Sequence, residues 1–232
     1  MAIARVIGRR RRRATTGGTE DATRARRPRR RIRLDNDARK AQLLALGVQA
    51  FSDRTYDEVS IDDIARLAGI SKGLLYHYFP TKRHLYVAGL RFTADQLIAE
   101  TERAARPDLP PLDRIRAGLD AYLDHVARHA RPFVALMRGG IGSDPEVVAV
   151  IESVRATYMR RFVDTATGTP LEPALTSPLV RVALRGWIGF VEASSLEWLA
   201  RREVDRTALR DLLVDSLLAT FRVAAGPSFL DA

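Results

Sequence analysis

The chain has 232 residues, of which 46% are apolar, no cysteine and a net charge of +10. This composition permits a sizeable folded core and excludes disulfides, thiolate metal sites and a cysteine nucleophile. The longest stretch without a charged side chain, Ala41 to Ser52, is shorter than the roughly 20 residues that cross a bilayer. The arginine-rich start lacks the apolar segment of a secretory signal. We therefore expect a cytoplasmic protein without a membrane partner.

A basic arm is the first predicted segment. Residues 1–33 hold 13 arginines against Glu20 and Asp21, a net charge of +11, and the rest of the chain sums to −1. Because like charges repel and few apolar side chains are available for burial, residues 1–36 are predicted to be disordered. Such an arm attracts polyanions, nucleic acid first and anionic membrane second. A solvated tail without a specific role is the alternative.

From Asp37 onward, apolar residues recur at helical spacing, which predicts an all-α fold. Capping signals mark several helix starts: Ser60 lies three residues ahead of Asp63, and Asp144 and Ser177 each precede a proline. The nine predicted helices cover residues 37–54, 60–68, 71–78, 81–105, 112–129, 132–138, 144–165, 177–201 and 205–224.

Residues 60–79 have the layout of a helix-turn-helix, with two short helices on either side of Gly69. Glycine readily adopts the left-handed conformation that ends a helix and turns the chain. Leu75 and Phe79 are expected to point inward. The opposite face then presents the cation of Lys72, the bare backbone of Gly73, the phenol of Tyr76 and the imidazole of His77 to a DNA groove. Helix starts nearby can bind phosphates. The predicted DNA-binding residues are Ser60, Ser71, Lys72, Gly73, Leu74, Tyr76, His77 and Lys82. The alternative is an ordinary helical hairpin with a solvated outer face.

Residues 39–86 resemble the DNA-binding domain of the TetR (tetracycline repressor) family of bacterial regulators. The run from Ser60 to Phe79, SIDDIARLAGISKGLLYHYF, is close to that family's central signature, and the TKRHL that begins at Thr81 matches the usual start of its fourth helix. By motif position, the family's DNA contacts fall on the predicted residues above, Leu74 excepted.

This resemblance implies a homodimeric, ligand-responsive transcriptional regulator, usually a repressor, that binds double-stranded DNA and is not an enzyme. It also implies a helix-turn-helix domain at residues 37–84, joined by a connecting helix to a helical ligand-binding and dimerisation domain at residues 85–232. Two positions depart from the family pattern. Gly47 replaces a usual alanine, which should cost roughly 1 kcal/mol in helix propensity, and Thr55 replaces a common glycine, which predicts a different turn geometry.

The last two predicted helices are apolar on more than one side and must therefore be buried on both. In residues 177–201, one apolar stripe includes Val182 and Phe190, and another includes Leu184 and Ile188. A second subunit most simply covers the extra side, so a two-fold dimer through residues 177–224 is predicted. Two recognition helices about 34 Å apart then require a palindromic operator. The predicted interface residues are Leu184, Ile188, Val191, Leu199, Leu213, Leu217 and Phe221.

No cofactor is predicted, but the resemblance implies a small-molecule effector bound among the middle helices. Methionine and aromatic side chains suit an adaptable, mostly apolar pocket, and polar ones would orient the bound molecule. Plain core packing is the alternative for each. The candidate lining residues are Phe92, Gln96, Tyr122, His125, Phe133, Met137, Tyr158, Trp187 and Phe190.

An enzyme and a non-specific nucleic-acid binder are the other classes of function that the sequence allows. His125 and His129 lie one turn apart beside Asp124, a spacing that can hold a divalent metal, but no third ligand is evident and no metal site is predicted. An enzyme is disfavoured because the sequence offers no convincing nucleophile–base pair or phosphate loop. A non-specific nucleic-acid binder driven by the basic arm is the remaining alternative.

Overall fold

The computed structural model describes residues 36–138, 140–166 and 177–226, so the prediction of a disordered arm at residues 1–36 lies, except for Asn36, outside the described residues. Within these ranges every regular element is helical and no strand occurs. The α-helices are α1 (Asn36–Asp53), α2 (Ile61–Leu67), α3 (Lys72–Tyr78), α4 (Lys82–Ala104), α5 (Pro111–Arg128), α6 (Ala130–Arg138), α7 (Pro145–Ala166), α8 (Pro178–Arg201) and α9 (Arg206–Ala225), with a short 3₁₀ turn at Gly140–Ser143. The predicted all-α fold is confirmed, and each predicted helix end lies within two residues of the observed one.

Hydroxyl and carboxylate caps explain where several helices begin. The side chains of Ser60, Ser71 and Thr81 accept hydrogen bonds from backbone N–H groups in the first turns of α2, α3 and α4. Asp205 does the same for α9, accepting from two N–H groups at 2.7 and 3.1 Å. Each cap satisfies donors that a helix N-terminus otherwise leaves without partners, which fixes the starting residue.

The first core of the molecule joins α1–α4 to the start of α7. Leu43, Ile64, Leu75 and Leu85, one from each of the first four helices, are fully buried in it, and Val147 of α7 packs in the same cluster. An edge-to-face contact between the rings of Phe51 and Tyr86, 5.0 Å apart, adds to this core. The three N-terminal helices are thereby packed against α4 and the start of α7.

The second core lies among α5, α8 and α9, and it corrects the predicted dimer interface. Six of the seven predicted residues are inside this core of the single chain, at most 8% exposed, and Leu199 packs against it half-buried. These side chains already contact their own chain and are not free to contact a second subunit. The buried residues are Leu184, Ile188, Val191, Leu213, Leu217 and Phe221.

Arginine–carboxylate pairs link helix α7 to α4 near its start and to α8 farther along. Near its start, Arg83 of α4 contacts both oxygens of Asp144 at 2.6 and 2.7 Å and Glu146 at 2.6 Å. Three turns later, Arg155 donates two hydrogen bonds to Glu192 of α8. Bidentate pairs of this kind fix orientation as well as distance.

Helices α1–α9 belong to one compact unit, and α4 crosses the predicted boundary at residue 84 without interruption. The division into a domain at residues 37–84 and another at residues 85–232 stays a prediction. None of the helices in the described part of the chain has the length and hydrophobicity needed to cross a membrane.

Candidate nucleic-acid interface

A sharp turn at Gly69 separates α2 from α3. Gly69 has φ +65°, the left-handed conformation that the sequence predicted for this position. The N–H of Ile70 then donates to the carbonyl of Ala65 at 3.0 Å, which closes the end of α2. The bend brings α3 across α2 with only a few residues between the two helices.

Helix α3 is anchored on one side and exposed on the other. Leu75 is fully buried and Phe79, just after the helix, is 4% exposed. Leu74 and Tyr76 are 39% and 37% exposed, and Lys72, Gly73 and His77 are exposed as well. The outward orientation of these side chains agrees with the sequence-based expectation, and it leaves a cation, a phenol and an imidazole on one short surface. We call this surface the α3 face; it consists of Lys72, Gly73, Leu74, Tyr76 and His77.

An ion pair holds Lys72 against α2. Its ammonium lies 3.0 Å from the Asp62 carboxylate of α2, and the hydrogen bond between them raises the pKa of Lys72 above its usual value. The pair spans the turn and keeps the lysine charged. Both side chains are exposed, so a DNA phosphate or guanine edge can exchange with the carboxylate at low cost.

Lys82, at the start of α4, is placed by an aromatic ring. Its ammonium lies 4.6 Å from the ring centroid of Tyr56 and donates to the Asp57 carbonyl at 3.3 Å. Tyr56 in turn contacts Tyr86 edge to face, with ring centroids 5.1 Å apart. A cation–π contact of this kind orients the lysine without neutralising it.

Two family models match this chain. One, described as bacterial regulatory proteins, tetR family, matches residues 43–88, and the other, described as Tetracyclin repressor-like, C-terminal domain, matches residues 111–220. A solved tetR-family transcriptional regulator from Streptomyces coelicolor is 34% identical, with a TM-score of 0.72 over 83% of this chain and 84% of that one. The chain belongs to the TetR family.

Other relatives are also regulators of transcription. The transcriptional activator FasR of Mycolicibacterium smegmatis is 32% identical over 53% of this chain and 57% of its own length, and the regulator EthR of the same organism is 33% identical over 48% and 52%. The chain thus spans about half the length of these two. The transcriptional repressor KstR of that organism is 27% identical over 78% of this chain and 88% of its own. Membership of this regulator family settles the enzyme alternative: the protein is not an enzyme.

Sequence reasoning missed the partners that position this TetR-family helix-turn-helix. Asp62 pairs with Lys72, Tyr78 donates to Asn36 at 3.1 Å, and Arg83 holds the start of α7. The partners of Tyr78 and Arg83 lie 42 and 61 residues away in sequence, so no local pattern pointed to them. Asp62 lies ten residues before Lys72, and its opposite charge was a usable signal.

The nine candidate effector-lining residues are not all brought together, although Tyr122, Tyr158 and Trp187 pack in the second core. Phe92 and Gln96 lie on the exposed side of α4, and Phe190 is exposed on α8, so the packing of this chain places none of them inside a pocket. The indole N–H of Trp187 donates to the Leu213 carbonyl and to the Ser216 hydroxyl, both at 3.1 Å, which commits that ring to the core between α8 and α9.

The remaining candidates lie on or beside α5, α6 and α7. The Tyr158 hydroxyl is 3.2 Å from that of Thr101, and the buried Tyr122 hydroxyl interacts with the Ser195 side chain. Burial raises the pKa of Tyr122, so its hydroxyl stays protonated. Met137 contributes to a separate cavity of about 360 Å³ at the start of α7, and Phe133 is half-buried on α6.

His125 and His129 form a polar cluster with Glu100 of α4. The imidazole Nδ1 of His125 lies 3.0 Å from a Glu100 oxygen, and the two imidazole rings are 4.5 Å apart. Burial lowers the pKa of both histidines, the hydrogen bond to Glu100 opposing this at His125. Among the described residues, no three His, Cys, Asp or Glu side chains are arranged to hold a metal ion.

Proposed function

We propose that this TetR-family protein binds a palindromic DNA operator as a homodimer, represses transcription there, and is released by a small-molecule effector. The observation that carries the proposal is the α3 face, a groove-sized helix surface seated on a buried leucine and rimmed by helix starts at Ser60, Ser71 and Thr81. Lysine can bond guanine or phosphate, tyrosine and histidine can bond phosphates or base edges, and Leu74 can contact a thymine methyl.

The capped helix starts add a second kind of contact. Ser60, Ser71 and Lys82 lie at the starts of α2, α3 and α4, where backbone N–H groups and side chains can bind phosphate together. These three helices share one core, so phosphate contacts at their ends would fix the orientation of the α3 face in the groove.

An operator titration tests the assignment. Replacing Lys72 and Tyr76 together by alanine removes two contacts, each typically worth roughly 5- to 150-fold in affinity, and should weaken operator binding by at least about 30-fold. Fluorescence anisotropy with an operator taken from genomic footprinting measures this. Arg103→Ala, which removes one positive charge from the far end of α4, serves as the control and should leave affinity unchanged. Equal affinity of the double variant and the wild type would refute the assignment.

A corrected surface supports the dimer. The exposed stripe of α8 carries Leu179, Val182 and Phe190, and α9 adds Leu212, all between 40% and 69% exposed. Gly186 lies between the larger side chains of α8, and an added Cβ there would meet no atom within 4 Å. An apolar surface on two adjacent helices is typical of a subunit interface. We assign the interface to this stripe.

The effector is proposed only as a small molecule. A solved FadR from Bacillus subtilis, 17% identical with a TM-score of 0.63, is described as a complex with stearoyl-CoA, which is a statement about that protein. An effector of this chain is proposed from the match of residues 111–220 to the family's C-terminal domain.

A further inference from the structure

The cations of the helix-turn-helix differ in how far they are open to DNA. Helices α2 and α3 and the first residue of α4 carry three lysine and arginine side chains, and two of these lie against carboxylates. Arg66 pairs with Asp63, and Lys72 pairs with Asp62. Within the described part of the chain, no carboxylate lies within ion-pair distance of the third, Lys82. Lys82 is therefore open to phosphate, whereas the charge of Lys72 is balanced locally.

Asp62 holds Lys72 with both of its carboxylate oxygens. The ammonium lies 3.0 Å from one oxygen and 3.1 Å from the other. Asp62 belongs to the first turn of α2 and Lys72 is the first residue of α3, so the pair bridges the turn between the two helices. A lysine ammonium has three N–H donors. One donor therefore remains for an acceptor outside the protein.

The charge of that acceptor decides whether the contact is favourable. The pair has no net charge, so the attraction of a phosphate to the ammonium is opposed by its repulsion from the nearby carboxylate. A neutral pair also releases few counterions from DNA, and this release is what drives phosphate binding. The O6 and N7 atoms of guanine are acceptors without a formal charge, and they do not meet this repulsion.

We propose that Asp62 is a specificity-determining residue, which directs Lys72 toward a guanine edge in the operator and away from the phosphates of DNA of any sequence. The inference rests on the proposed function, because it takes the α3 face as the reader of the half-site. Asp62 acts through Lys72 and is a positioning residue. Phosphate binding is then left to Lys82 and the capped helix starts.

A double-mutant cycle tests the pair. Four full-length chains are compared, namely the wild type, Asp62→Asn, Lys72→Ala and the combination of the two. Each is titrated between about 50 and 200 mM salt with an operator duplex taken from genomic footprinting and with a scrambled duplex of the same length and composition. The α2 cap is preserved, because the Ser60 hydroxyl accepts from the backbone N–H of residue 62, which asparagine retains.

The expected signature is a change in salt dependence on scrambled DNA. In Asp62→Asn the ammonium of Lys72 is free to bind a phosphate, so the slope of log affinity against log salt should steepen by about 0.9, or about 3.5-fold in affinity across this salt range. Operator affinity should change less, so the preference for operator over scrambled DNA should fall. Asp62→Asn should have no such effect once Lys72 is alanine, and Asp62→Glu, which restores a carboxylate, should recover the wild-type slope.

Asp37 provides a matched control. It is an exposed aspartate in the first turn of α1, and its neighbour Asn36 accepts a hydrogen bond from Tyr78 at the end of α3, so it lies near the same surface. Asp37→Asn removes one negative charge without releasing Lys72. It should leave both the slope on scrambled DNA and the operator preference as in the wild type.

Other outcomes overturn the proposal in distinguishable ways. An unchanged slope in Asp62→Asn, with operator preference intact, would reject the role of Asp62 and leave the proposed function standing. An equal effect of Asp62→Asn with and without Lys72 would show that the carboxylate only repels DNA, and would also reject it. Absence of operator preference in the wild type would reject the proposed function itself.

Discussion

At the scale of single residues, Asp144 serves two purposes. It caps α7, accepting from the N–H of Glu146 at 2.9 Å, and it accepts two of the three hydrogen bonds that the Arg83 guanidinium donates. The cap was predictable, because Asp144 precedes a proline at the start of a periodic run. The ion pair was not, because Arg83 is 61 residues away and only the fold brings the two together.

The Asp144 pair should make stability depend on pH in the acid range. The hydrogen bonds from Arg83 lower the pKa of Asp144 to about 2, below the roughly 3.9 of an unfolded aspartate. The unfolded chain therefore binds more protons between these values, so the stabilisation is complete above pH of about 4 and is lost as the pH falls toward 2. Differential scanning fluorimetry should show the wild type melting above Asp144→Asn at neutral pH, with the gap closing as pH falls.

Asparagine retains capping ability, so this variant isolates the charge. Asp144→Ala, which loses the cap as well, should melt lower still at every pH. A gap between the wild type and Asp144→Asn that stays constant from neutral to acid pH would contradict the assignment.

At the scale of helices, Gly47 shows how packing overrides helix propensity. From sequence, glycine in the middle of α1 is a cost of roughly 1 kcal/mol relative to the alanine that the family usually has. The structure supplies the reason for it, since a Cβ on Gly47 would lie 2.8 Å from one Leu85 methyl carbon, and Leu85 is fully buried. Thr55, the other departure, needs no positive φ, and its N–H donates to Glu58 at 2.8 Å.

We therefore expect Gly47→Ala to lower the free energy of unfolding, because overpacking typically costs about 1–3 kcal/mol and outweighs the gain in propensity. The matched control is Gly118→Ala in α5, where the new Cβ would lie at an ordinary 3.7 Å from the Ala105 Cβ. That variant should gain up to about 1 kcal/mol. Urea denaturation measures both, and a stabilised Gly47→Ala would show that Leu85 moves aside freely.

The helices themselves were predictable because the periodicity and the caps are local. The side of α8 that stays exposed in the single chain, and to which we assign the second subunit, was not. Sequence showed two apolar stripes and could not tell which one the chain buries itself, because that depends on the positions of α5 and α9. The structure buries the Leu184 and Ile188 stripe and leaves the Val182 and Phe190 stripe exposed.

At the scale of the whole molecule, the exposed stripe should decide the oligomeric state. Replacing Val182 and Phe190 by glutamate puts two charges into the proposed interface, where burial of unpaired charge is costly. Analytical ultracentrifugation at micromolar concentration should show a dimer for the wild type and a monomer for the variant. Operator affinity should fall with it, since a monomer engages only one half-site.

Val148→Glu is the matched control, because Val148 on α7 is 41% exposed and Phe190 is 40% exposed. It should remain dimeric. A wild type that sediments as a monomer, or a double variant that remains dimeric, would move the subunit contact away from this stripe.

The two arginine pairs on α7 have a mechanical consequence. One pair links the start of α7 to Arg83 of α4, which directly follows α3. The other pair links α7 to α8, whose exposed stripe we assign to the second subunit. The part of α7 between Asp144 and Arg155 is a rigid helical segment roughly 16 Å long. Pivoting it by about 10° at the Glu192 end swings the Arg83 end by roughly 3 Å. In the proposed two-fold dimer, the same swing in each subunit would add up in the spacing between the two α3 faces, so a small pivot of α7 would move them out of register with successive major grooves.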